Sequence, residues 1–121
     1  MKPLILLDSI TAINASALDA VIVSGSHGGA SSTGFAQRNP ERPALVFFND
    51  AGRGKDDAGI YGLQALQDLG IACACYSHIS ARIGEAKDGY ENGVVSAVNA
   101  LANGLGIEIG MTVRHACALS S

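Results

Sequence analysis

The stretch Ala44-Leu45-Val46-Phe47-Phe48-Asn49-Asp50-Ala51-Gly52-Arg53-Gly54 decides the fold. Its first five residues are apolar without alternation, then polar residues and glycines end the run abruptly. A strand with one wet face would alternate, so a continuous run points to a strand covered on both faces, as in a largely parallel sheet. Leu4 to Leu7, Ala20 to Ser24 and Ile71 to Tyr76 share this form. The segments between them are long enough for the right-handed crossovers that parallel neighbours require. These features predict one domain over residues 1–121, an α/β fold of the small Rossmann-like, three-layer kind, with a mostly parallel sheet of about four strands.

Helices are expected in the connecting segments. Asp56 to Gly70 opens with acids and closes with glycine, and Ile60, Leu63, Leu66 and Leu69 step along it by threes. A second helix is expected from about Gly93 to Asn103, with Val94, Val98 and Leu101 at helical spacing and Gly104 as its stop. A third is expected from about Glu108 to Ala118. Ser31 to Gln37 can form a short helix after the second strand, and Asn39-Pro40-Glu41-Arg42-Pro43 reads as a surface connector.

Composition narrows the partners. The chain has 121 residues, 48% apolar and only 5% aromatic, with fifteen glycines, so its core must be built from small and β-branched side chains. Eight basic against eleven acidic residues give a net charge of −3 with no basic stripe, which argues against nucleic acid. No apolar run approaches the ~18 to 20 residues of a membrane span, and Leu4 to Ser9 is too short and too soon interrupted by Asp8 for a secretory signal. A cytoplasmic protein without a membrane partner is the expectation. Cys73, Cys75 and Cys117 are odd in number and lack metal or redox spacing, so they read as buried reduced thiols. A small core that leaves much apolar surface wet favours self-association, through a helix face or through the sheet edge.

In open parallel sheets, ligands lie beyond the carboxyl ends of the strands, where neighbouring connections leave on opposite sides. The four strand ends carry Asp8-Ser9, then Gly25-Ser26-His27-Gly28-Gly29, then Asp50 through Lys55, then Ser77-His78 through Arg82. Seven of the fifteen glycines fall between Gly25 and Gly59. Glycines at 25, 28 and 29 leave backbone N–H groups uncovered, as an anion cradle requires. The spacing excludes a P-loop, a dinucleotide fingerprint and a hydrolase nucleophile elbow. His27 and Asp50 are the acid/base candidates, adjacent if the second and third strands pair, with His78 a further candidate. Ser26, Gly25, Gly28, Gly29 and Asp8 shape or line the site, and Lys55 and Arg82 neutralise an anion. His115, inside a predicted helix, reads as structural. Metal ligation by His27, His78, Asp8 and Asp50 is chemically possible, but no spacing fixes a geometry, so neither metal nor cofactor is expected.

Val21-Ile22-Val23 followed by Ser26-His27-Gly28 is similar to the strand and phosphorylated histidine of mannose-class phosphotransferase IIA domains. The likeness covers fewer than ten residues. Ser24-Gly25 is interposed, and an additional apolar run precedes this strand. The resemblance implies a phosphoryl carrier with His27 as nucleophile. The residues themselves point first to an enzyme acting on a small anionic metabolite, a carboxylate or a phosphate. A non-catalytic ligand-binding or assembly module predicts the same loops but indifference to loss of His27.

Overall fold

The computed structural model describes residues 1–120. Five strands, β1 (Leu4–Leu7), β2 (Val21–His27), β3 (Leu45–Asn49), β4 (Ala72–Tyr76) and β5 (Val95–Val98), form one sheet in the order β1-β2-β3-β4-β5. The first four are parallel and β5 is antiparallel. The helices are α1 (Ala30–Arg38), α2 (Gly62–Gln67), α3 (Ala86–Asn92), α4 (Ala100–Gly104) and α5 (Val113–Leu119). This is a three-layer α/β domain.

Strand order explains the layering. Parallel strands that follow one another in chain order, joined by crossovers of one hand, put every crossover on one face. That face packs Ile10 and Ala17 of two 3-10 turns, Ala36 of α1 and Leu66 of α2 against Ile22, Val46, Phe48 and Cys73. The opposite face packs Tyr90 of α3, Ala102 of α4, and Val113 and Ala116 of α5 against Val23, Phe47, Ala74 and Tyr76. Every residue of β3 and β4 is buried, which is why Leu45 to Phe48 and Ala72 to Tyr76 read as unbroken apolar runs. All three thiols lie buried, and burial pushes the Cys75 and Cys117 thiols up to about 12.

Three expectations need correction. Gly93 to Asn103 is not one helix, because Val95 to Val98 form the fifth strand. Val94, Val98 and Leu101 fit a helical period, but the same window alternates, with Val95 and Ala97 buried and Ser96 and Val98 half-buried. The unpaired edge of β4 and the β-branched content decide for the strand. Asn99 then caps α4, its side chain accepting from the Ala102 N–H. Asp56 to Gly70 divides into a 3-10 turn at Lys55–Ile60 and the short α2, because Asp56 and Asp57 take left-handed φ values of 55° and 57°. The last helix starts five residues later than expected, at Val113, where Thr112 accepts from the His115 N–H. Helix α3, which carries Gly89 at its middle, is not among the expected elements. That glycine lets the helix lie on Tyr76, whose ring carbon would sit 2.7 Å from an added Cβ.

No helix of the described residues is long and apolar enough to cross a membrane.

Candidate functional site

The connections after β3 and β4 leave the sheet on opposite faces, the first through α2 and the second through α3. A crevice therefore opens between the carboxyl ends of these two strands. Asp50 follows β3 and His78 follows β4, so the chain places both beside it.

Asp50 is 5% exposed and fully engaged. Its Oδ1 accepts from the Gly52 N–H at 2.8 Å and the His78 N–H at 3.0 Å, and its Oδ2 accepts from the Ser96 hydroxyl at 2.7 Å. The His78 Nδ1 lies 3.3 Å from Oδ1, while the imidazole itself is half exposed. Burial pushes the Asp50 carboxyl up, but the Ser96 hydroxyl, the two N–H donors and the imidazole together outweigh it and hold its pKa below the usual carboxylate value. A carboxylate against Nδ1 favours the proton there, which leaves the lone pair on Nε2. Gly52 lies beside the ring, and its φ of +73° is a left-handed value that glycine adopts without strain.

A cavity of about 260 Å³ adjoins the imidazole, lined by His78, Ser80, Ala81, Arg82 and Asp88 among others. The Arg82 side chain is 79% exposed, and its guanidinium lies 4.0 Å from the Glu85 carboxylate. Its backbone N–H donates to Asp88. Lys55 is exposed in the 3-10 turn after the Gly52–Gly54 loop and is not among the residues lining this cavity.

His27 stands apart from this pair. β2 and β3 do pair, with His27 in register with Asn49, yet the hydrogen bonds of Asp50 go to Gly52, His78 and Ser96. The expected partnership of His27 with Asp50 is therefore replaced by that of His78 with Asp50. The His27 Nδ1 accepts from the Gly29 N–H at 3.0 Å, and the Ser32 hydroxyl lies 3.3 Å from Nε2. An acceptor Nδ1 leaves the ring proton on Nε2, which makes this histidine a donor in its neutral form.

The neighbouring residues, of which Gly25 and Ser26 belong to β2 itself, are occupied with packing. The Ser26 hydroxyl accepts from the Ile10 N–H, and Asp8 accepts from the Ala86 N–H at the start of α3. A Cβ on Gly25 would stand 2.6 Å from the Asp8 carbonyl oxygen, and one on Gly28 would stand 2.7 Å from that of Gly59. Gly29 packs on the His27 ring. These glycines let chain approach chain. His115 is exposed on α5.

Sequence reasoning missed Ser96, because its segment was assigned to a helix, and Asn49, whose side chain ties the end of β3 to the Ala81 carbonyl and the Ala51 N–H. A polar residue ending an apolar run was the available signal for Asn49.

Fold and site thus define a small three-layer α/β domain with a histidine held against a buried aspartate at the carboxyl edge of its sheet. Compared with protein-family models, with curated proteins and with solved structures, the chain matches none of them, and the site is read from its own geometry.

Proposed function

We propose that this protein is an enzyme that moves a proton on a small anionic metabolite, a carboxylate or a phosphate. His78 is its general base, Asp50 the positioning residue and Arg82 the anion clamp. The observation that carries the reading is the buried, triply hydrogen-bonded Asp50 set 3.3 Å from the Nδ1 of a half-exposed imidazole. Such a carboxylate orients the ring and stabilises the imidazolium formed when Nε2 takes a proton. The adjoining cavity, about 260 Å³ with a guanidinium at its rim, suits a small anion better than a nucleotide. His27 belongs to the same strand edge as a hydrogen-bond donor, with the glycine-rich loop as its support.

A thermal-shift screen against inorganic phosphate and small mono- and dicarboxylates tests this. A ligand at 100 times its dissociation constant stabilises by about 2.7 kcal/mol. The expected result is a shift that Arg82→Ala abolishes and that His78→Gln leaves largely in place. Turnover of the stabilising compound, or of a congener, should then be lost in His78→Gln. Phosphohistidine formation that depends on His27 would instead favour a phosphoryl carrier. A shift without turnover of any congener would favour a non-catalytic binding module.

A further inference from the structure

We propose that β1 pairs antiparallel with β1 of a second copy of this chain, across a two-fold axis through Ile5, joining two five-stranded sheets into one. This is independent of the catalytic reading. The two edges of the sheet are treated differently. On the β5 side, the Val95 N–H donates to the Met111 carbonyl, the Val95 carbonyl accepts from the Gly110 N–H, and the Val113 N–H donates to the Gly93 carbonyl, so neighbouring chain covers the Val95 end of that edge. No strand lies outside β1 among the described residues.

The Val21 N–H donates to the Pro3 carbonyl, and Leu4 is in register with Val21. By the alternation of a parallel ladder, residues 3, 5 and 7 turn their main-chain groups toward β2, while Leu4 and Leu6 turn theirs outward. Pro3 thus removes no donor from the outer edge. The strand carries no charge, and Leu4 and Leu6 are 42% and 40% exposed. Long-lived unprotected edges of this kind pair with another strand.

The sequence around Ile5 complements itself. With Ile5 on the axis, Leu4 faces Leu6 of the second copy, and each such pair exchanges both outward N–H and C=O groups. Lys2 then faces Asp8 of the second copy. Even-numbered positions share a face, so Lys2, Leu4, Leu6 and Asp8 form a stripe of two central leucines flanked by opposite charges, read in reverse by its copy. Lys2 donates to both Asp19 oxygens at 3.0 and 3.2 Å, which leaves one ammonium proton, and Asp8 uses Oδ1 for the Ala86 N–H, which leaves Oδ2. Two cavities flank the strand, about 420 Å³ beside Leu4 and Tyr90 and about 280 Å³ beside Ile5 and Leu7. A second copy is the occupant because an isologous edge satisfies the same groups on both sides at once.

Sedimentation velocity of the full chain should give twice the chain mass. Leu4→Lys combined with Leu6→Lys places four ammonium groups across the axis, and the species should halve in mass with an unchanged far-UV circular dichroism spectrum. Under mild oxidation, Ile5→Cys should cross-link into a dimer, since position 5 is a non-hydrogen-bonded pair on the axis, whereas Leu18→Cys should not. The cross-link decides the matter if the double lysine variant fails to fold. A monomeric wild type, or a dimer that survives the two lysines while Ile5→Cys stays uncoupled, overturns the proposal.

Discussion

Asp50 concentrates the residue-scale chemistry. Its ionised form is held by three hydrogen bonds and the imidazole of His78, so its pKa in the folded protein lies below the 3.8 of the unfolded chain. The stability this contributes is fully present above 3.8 and is lost as the pH falls through the folded value. Melting temperatures of the wild type should therefore fall on acidification in a way that those of Asp50→Asn do not. At neutral pH the same variant keeps acceptors for Gly52 and His78 but presents a donor to Ser96 or loses one bond, and should cost about 2 kcal/mol by urea unfolding. A pH-independent difference between the two melting curves would show that the carboxylate is not the stabilised form. Asp50 and the strand end that carries it were legible in the sequence as a polar stop to an apolar run. Its choice of His78 over His27 was not, because that depends on the directions in which two connections leave the sheet.

At the scale of elements, the helices are short, and α4 and α5 each start on a capping side chain, Asn99 and Thr112. Asn99 is the clearest case. Its Oδ1 accepts from the N–H groups of Cys73 and Ala102, and its Nδ2 donates to the carbonyls of Leu63 and Ile71. One buried amide thus joins the entry of β4, the first turn of α2 and the start of α4. Asn99→Ala strands these groups and should cost about 3 kcal/mol, seen as a lower urea midpoint at unchanged slope. A loss below about 1 kcal/mol would mean that water replaces the amide. The sequence reading placed Asn99 inside a helix because Val94, Val98 and Leu101 match a helical period by coincidence in a short window. The free edge of β4, invisible locally, turned that window into a strand.

For the whole molecule, the fully buried central strands carry the core. Val46 is fully buried on β3, between β2 and β4, against the crossover layer. Val46→Asp buries an unpaired carboxylate there and should abolish cooperative unfolding in circular dichroism, as the cost of several kcal/mol rivals the stability of a domain this size. A cooperative melt near the wild-type temperature would contradict this packing. A domain of about 120 residues buries only about two-thirds of its unfolded surface, so its exposed β1 edge matters more than it would in a larger protein.

The sequence by itself determined the class of the fold, because burial on both faces of a strand imposes an unbroken apolar run that can be read without knowing the neighbours. It also marked the carboxyl edge as the place where polar side chains gather. Tertiary structure alone decided which of those side chains meet. Asp50 reaches its partners across 28 residues to His78 and 46 to Ser96, and no local pattern encodes such separations. It likewise turned the glycines at 25 and 28 into points of close chain approach, since the space around a missing side chain is a property of whatever segment packs against it.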